Sequence, residues 1–406
     1  MESHVSSLAA KFAGYRHLVP LLSRDDVVYL NSSYAPPSNL IVHEALARFS
    51  HESLHDPDPK PSWQAAVEDV RALVARYINT ELSCIAFTRD TTEALGNFIR
   101  SLQFQPGDNV VILDSEHPNH AYGWMALQSA GLEVRQVLTT AEERSTGKVT
   151  AANAATFEPY VDERTRAIGL SSIMFHSGQK NDVAGICSAF RPRGIHVLAD
   201  LTQQVGFAPV DAKALGISAA GFSLHKGLNC PTGIACMYVD PDVLKEINPV
   251  PPIVGYGAVS NARADLLVPK GPVTFHPDSR RFDHLNLSLV GAAAAKAFLT
   301  FYLDSLGPSD LEEHLYSLGD ALQEACRKLG VGIIGPSERE NHAPHLYILN
   351  LLDPGWAPFL RSHGVYVSHY RLGVRVSLGF YNNEADIRRL ADVVGAGVAE
   401  GLPLCC

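Results

Sequence analysis

The chain has 406 residues, 46% of them hydrophobic and 19% charged, enough for a sizeable core in one large domain and a smaller one. Its formal net charge of −10, without a Lys/Arg run, argues against a nucleic-acid partner. No apolar stretch reaches the roughly 18 residues of a membrane helix, and residues 1–15 lack a signal-peptide pattern. The seven cysteines include no Cys-x-x-Cys pair, so a cytoplasmic protein with reduced thiols is expected. The terminal Cys405-Cys406 lacks the adjoining basic residues that assist lipid anchoring.

Residues 1–40 read as an N-terminal arm with a short strand over 27–31, ended by Pro36-Pro37. Helical patterning covers 41–51. Over 63–78 it is amphipathic, with Val67, Val70, Val74 and Tyr77 on one face. Short apolar strands then recur at 85–88, 109–113, 133–137, 167–173, 196–199, 220–224 and 235–239. Helices, including 92–102 and 121–130, separate several of them. This alternation predicts an α/β large domain over 41–285, with a mostly parallel seven-stranded sheet covered on both faces. Ligands bind such sheets at the carboxyl ends of the strands. An alanine-rich helix over 289–303 leads into a smaller α+β domain within 286–406, with strands near 346–351 and 374–378 and a last helix from Glu384.

The stretch from Phe222 to Gly233 is strand, polar loop, strand, and its loop carries Lys226. A lysine at the end of a buried strand has a lowered pKa and becomes a nucleophile suited to a Schiff base. Ser223 and His225 flank it at positions that can hold a phosphate, and Gly227 permits a close backbone approach. Pyridoxal phosphate on Lys226 is the expectation; an ordinary loop lysine is the alternative. Asp200 ends an apolar strand and needs a cationic partner, such as a pyridinium nitrogen. A turn cap is its other reading. Thr91 and Thr92 open a helix, a place for phosphate or for routine capping. His117 can stack on a cofactor ring, or pair with His120 on a metal, although no third ligand of suitable spacing accompanies them. Arg375, inside an apolar strand, can hold a carboxylate bidentately or form an internal salt bridge.

Together these residues resemble the fold-type-I pyridoxal-phosphate enzymes, in the class V aminotransferase branch that includes cysteine desulfurases and isopenicillin-N-epimerase-like proteins. The carrying stretches are Phe87 to Leu95, Glu116-His117-Pro118-Asn119, Asp200-Leu201-Thr202-Gln203, Ser223 to Lys226, and Arg375 before Ser377. The resemblance implies a homodimer with shared sites and an amino-acid substrate. It puts Thr91, Thr92, Ser223 and His225 on the phosphate and His117 over the ring. Asp200 falls on the pyridine nitrogen, Gln203 beside the phenolic oxygen, and Arg375 on the substrate carboxylate. Lys226 is then the catalytic base or acid, with His117 and Asp200 beside it.

Two departures stand out. Asn286 occupies the region where the branch carries a threonine that reaches the partner's phosphate. No cysteine lies between His363 and Arg375, where desulfurases carry their reactive thiol. The expected chemistry, through an external aldimine and a Cα quinonoid, is therefore carbon–carbon bond formation of the Mannich type, as in the fungal loline-pathway cyclase, or β/γ-elimination. Epimerization, carbon–sulfur lysis and transamination are alternatives, and a cofactor-free interaction protein is the rival from another class. Ser33, Tyr34, His176 and Tyr256 are candidate substrate contacts, with Ser32, His120, Gln179 and His369 as further polar candidates.

Overall fold

The computed structural model describes residues 2–404 apart from 141–142, 144–147, 264, 266–270 and 285–286. The strands in chain order are β1 (Val28–Tyr29), β2 (Ile85–Thr88), β3 (Asn109–Leu113), β4 (Glu133–Val137), β5 (Thr165–Ser171), β6 (His196–Asp200), β7 (Ala219–Ser223) and β8 (Ala235–Val239). The C-terminal part adds β9 (Ile333–Ile334), β10 (Leu346–Leu349), β11 (Val365–Tyr366), β12 (Ser368–Tyr370) and β13 (Gly373–Ser377).

The large sheet has seven strands in the order β2-β8-β7-β6-β5-β3-β4. Neighbours from β7 to β4 pair in parallel, whereas β8 is antiparallel to both β7 and β2. Residues 224–234 alone connect β7 to β8, too short for a covered crossover, so the chain returns antiparallel. All strands but β8 therefore end at one edge, and the β7–β8 loop carrying Lys226 lies at that edge. Side chains alternate between the faces. Val111, Ile168, Val197 and Phe222 join one core cluster; Val110, Ala167, Leu198 and Ala219 join the other with Leu95, Phe98 and Trp124. The edge strand β4 exposes Glu133 and half-buries Arg135, which pairs with Glu133 at 2.9 Å and Asp162 at 2.8 Å.

The smaller sheet runs β12-β13-β10-β9, all antiparallel. The N-terminal arm is bound to this part of the chain. Its β1 pairs in parallel with β11, and Arg16 meets the buried Asp386 at 2.8 Å. Two predicted elements shift. The expected helix over 121–130 is Pro118–Met125 followed by a tight turn at Gln128–Ala130, ended at Gly131 with φ +95°. The strand expected over 167–173 is Thr165–Ser171, its pairing with β6 closed by the Ser172 N–H donating to the Asp200 carbonyl at 3.0 Å.

The expectation about membrane-length stretches needs a correction. Leu289–Leu306 is, by length and composition, long and apolar enough to cross a membrane. In this fold it packs against the helices Leu40–His55 and Lys60–Tyr77. Ala292, Ala294 and Ala295 are buried, and their small side chains let the helices approach closely.

Candidate active site

A cavity of about 220 Å³ opens at the carboxyl edge of the large sheet. Thr91, Thr92, His117, Asp200, Gln203, Ser223, His225 and Lys226 all line it. The sequence-predicted centre is thus assembled from the ends of β2, β3, β6 and β7.

The Lys226 loop is fixed by its own backbone. Asn229 N–H donates to the Lys226 carbonyl at 2.9 Å and Cys230 N–H to the Leu224 carbonyl at 3.0 Å. Asn229 takes φ +54° to close the turn. The close approach expected at Gly227 is to the protein's own backbone. A Cβ on Gly227 would sit 2.5 Å from the Val205 oxygen, and one on Gly206 would sit 2.3 Å from the Gly227 carbonyl carbon. Burial pushes the Lys226 amine down to about 8; Asp200 opposes this and the Arg375 charge adds to it. The amine is thereby brought near the range where a neutral nucleophile is populated.

Asp200 is buried at the end of β6, and its Oδ1 accepts the Thr202 N–H at 2.8 Å. At the other end of the cavity, Thr91 is the first residue of the helix Thr91–Ser101, capped by Asp90. The Thr91 hydroxyl lies 2.6 Å from the Ser223 hydroxyl and 2.8 Å from the Thr202 hydroxyl. Three hydroxyls at a helix N-terminus suit a phosphate. Thr202 was not assigned this place from sequence, although it sits inside the Asp-x-x-Gln motif. His225 is pushed down to about 4 by burial and then by Lys226, so it is a neutral imidazole beside this cluster.

His117 caps the helix Pro118–Met125, its Nδ1 accepting the Asn119 N–H at 3.2 Å. Burial lowers its pKa, and its ring meets Phe175 edge-on at 4.9 Å. Phe175, which lines the cavity, carried no sequence signal. His120 points elsewhere: fully buried, 3.7 Å from Glu116, against Gly169. No cluster of three or more His, Cys, Asp or Glu that could hold a metal ion occurs among the described residues.

Gln203 donates to the Ser33 carbonyl at 3.4 Å, while its Oε1 is buried without a partner. Ser33 is held through its N–H to the Ser377 hydroxyl at 2.9 Å, and Ser32 donates to the Leu378 carbonyl at 2.5 Å. The arm therefore brings Ser33 against Gln203, which lines the cavity, while neither serine lines it itself. Tyr34 and Tyr256 do not line the cavity; they are 63% and 52% exposed. His176 is buried with Nε2 3.5 Å from Glu143, and both ends of the Gln179 amide bond within its own loop. His369 Nε2 is buried without a partner. Asn286 lies outside the described residues.

Arg375, in the middle of β13, is 1% exposed. One nitrogen, Nη1, donates to the Phe175 carbonyl at 2.9 Å, and the guanidinium stacks on Tyr370 at 4.5 Å. Nε and Nη2 have no partner, and no described Asp or Glu forms an ion pair with it. The internal salt bridge considered from sequence is absent among the described residues. A buried guanidinium with free donors calls for an anion.

This set fits pyridoxal phosphate: a lysine of lowered pKa, a buried carboxylate beside it, a hydroxyl cluster at one end, an imidazole along the side and an unmet amide oxygen on Gln203. Residues 43–350 match the family model described as aminotransferase class-V. The chain is 48% identical over 401 residues to an uncharacterized aminotransferase of Schizosaccharomyces pombe, covering 98% of this chain and 99% of that protein. It is 26% identical to a probable cysteine desulfurase of Methanothermobacter thermautotrophicus, covering 93% and 96%. In fold it is similar to the apo cysteine desulfurase of Thermococcus onnurineus, with TM-score 0.80 at 21% identity over 95% of this chain and 98% of that one. A cystine C–S lyase in complex with cysteine persulfide gives TM-score 0.81 at 21% identity, over 93% and 99%. The chain belongs to the class V aminotransferase family, whose cofactor is pyridoxal phosphate.

Proposed function

We propose that this enzyme acts on the α-carbon of a free amino acid. The observation that carries the reading is that Lys226 and the buried Asp200 line one cavity, and that Arg375, held on the lining residue Phe175, keeps two donors free. Pyridoxal phosphate supplies an electron sink for charge developing at the α-carbon. Lys226 would hold the cofactor, and its amine, buried in the cavity, would be the group to move a proton at the α-carbon. Asp200 keeps the ring nitrogen protonated. Ser223, Thr91, Thr92, Thr202 and His225 would hold the cofactor's phosphate, and His117 and Gln203 would hold its ring. Arg375 orients the substrate by its carboxylate, and Ser33 braces Gln203 from behind.

Beyond the α-proton we favour carbon–carbon bond formation or elimination. Arg375 is the carboxylate-holding cation of this reading and lies behind the lining residue Phe175; a site alternating between two dissimilar acids would favour a second such cation. Transamination is the second reading, supported by the name of the 48% identical relative. A persulfide route finds no support in the thiols. Cys230, four residues after Lys226, is buried and its thiol pushed far up. The exposed Val250, Ile253, Val254 and Tyr256 support a homodimer, and the five described cysteines, all free and buried, suit a reducing cytoplasm. The arm, the 41–285 domain and the 286–406 part remain our division of the chain.

The purified protein is expected to absorb at about 410–430 nm from cofactor bound at a lysine. Amino-acid addition separates the two reaction classes. Stoichiometric conversion to a species absorbing at about 330 nm, reversed by a keto acid, would establish transamination. Return to the original band with release of product supports the favoured reading.

A further inference from the structure

The amino-acid site proposed above depends on how Arg375 presents Nε and Nη2. Two contacts hold its guanidinium, the Phe175 carbonyl at 2.9 Å and the Tyr370 ring at 4.5 Å. They come from different parts of the chain. Phe175 follows β5 of the large sheet, and Tyr370 ends β12 of the small one. The two rings also meet edge-on, 5.9 Å apart.

Each contact is followed in sequence by a residue tied to the same carboxylate. His176 Nε2 lies 3.5 Å from Glu143 Oε1, a charge contact without hydrogen-bond geometry, and the Arg371 guanidinium pairs with Glu143 Oε2. Glu143 comes from a third segment, between β4 and the helix Ala154–Phe157, and is 4% exposed. Burial raises the pKa of its carboxyl, but His176 and Arg371 outweigh this and hold it below the usual range. The contacts close a ring: Glu143, His176, Phe175, Arg375, Tyr370, Arg371 and back to Glu143. Glu143 does not itself line the cavity.

We propose that Glu143 is a positioning residue of the amino-acid site: by tying residues 176 and 371 together, it fixes the Phe175 and Tyr370 contacts that orient Arg375. Side chains held by packing and outer bonds keep a site within the tolerance that recognition needs. The Arg375 donors match a carboxylate fork only while both contacts stay in register. A merely structural ion pair would instead support all binding at the site equally.

The test uses holoenzyme and two probes, L-alanine and ethylamine, which share an amine and a methyl group and differ in the carboxylate. Dissociation constants are read from the shift of the cofactor band. The parent protein is expected to prefer L-alanine. Glu143→Gln should weaken L-alanine about tenfold, short of the roughly hundredfold that a 1 Å misplacement can cost, and leave ethylamine unchanged. Glu143→Asp should recover most of the loss. Arg371→Met, which removes a half-exposed partner and spares the buried carboxylate, should give a smaller loss in the same direction and serves if the Glu143 variants fold poorly. Equal weakening of both probes, or none, in the variants would overturn the proposal. A parent protein that takes up no pyridoxal phosphate would overturn the cofactor reading itself, and this inference with it.

Discussion

At the hydroxyl end of the cavity, Thr91, Thr202 and Ser223 lie at the ends of β2, β6 and β7 of one sheet, and Thr91 contacts the other two hydroxyls at 2.8 and 2.6 Å. At the guanidinium end, Arg375, Phe175, Tyr370 and Ser33 come from two sheets and the arm, and two donors of Arg375 are unmet. The first end is redundant: each hydroxyl has another beside it. The second hangs on one charged side chain, buried where an unmet donor costs free energy. Anchoring of the cofactor should therefore tolerate single changes, and substrate binding should not. Lys226 stands between the two ends and serves both.

Lys226→Ala removes that link and should have the largest effect. Turnover is expected to fall by at least about 10²–10⁴, the range for a lost general base. The absorption of lysine-bound cofactor should vanish, while pyridoxal phosphate still binds through the hydroxyl end. A variant that keeps measurable turnover would break the comparison at its centre.

Arg375→Met tests the guanidinium end. Charge-assisted hydrogen bonds contribute about 1.5–3 kcal/mol each. The corresponding rise in KM is roughly 10- to 150-fold, with a much smaller change in cofactor affinity. Steady-state kinetics against cofactor titration would check the split, and an unaltered KM would mean that Arg375 serves the fold alone.

Ser223→Ala is the matching change at the hydroxyl end. With Thr91 and Thr202 still in place, the loss should be about 1 kcal/mol, the net worth of one hydrogen bond. Fluorescence titration of apo-protein would show cofactor binding roughly fivefold weaker, with KM for the amino acid unchanged. A loss as large as that in Arg375→Met would remove the contrast between the ends.

The same contrast explains what could be read in advance. The hydroxyl end and the lysine lie in short motifs at strand ends, where apolar runs stop and polar residues begin, so Thr91, Asp200, Ser223 and Lys226 were all legible. So was the sheet, because buried parallel strands write themselves as continuous apolar runs. The antiparallel return of β8 was set by the length of the loop after Ser223. The guanidinium end was half legible. Arg375 stood out as a charge in an apolar strand, but Phe175 and Tyr370 look like ordinary aromatic residues, and nothing local says that they meet. His176, Gln179, Tyr34 and Tyr256 were placed at the substrate by residue type. Gln179 is occupied by its own neighbours, His176 is buried beside Glu143, and the tyrosines stand in the open. The membrane-length helix 289–306 was missed because its alanines read as a linker rather than as a long apolar run.

The smallest expected effect is also the most direct probe of how the two ends meet at Lys226. Its amine is pushed down to about 8 by burial, raised by Asp200 and lowered by Arg375. Below that pH the amine is protonated and cannot attack the cofactor aldehyde; above it the neutral form can. Uptake of pyridoxal phosphate by apo-protein should therefore rise with pH through about 8, well below the 10.5 of an ordinary lysine. Asp200→Asn removes the charge that favours the ammonium form, so its midpoint should move down. Arg375→Met removes the charge that disfavours it, so its midpoint should move up. Opposite shifts would show the lysine balanced between a carboxylate on one side and a guanidinium on the other. Shifts of the same sign, or none in either variant, would mean that desolvation alone sets the amine and that the two ends act on different parts of the bound molecule without meeting at the lysine.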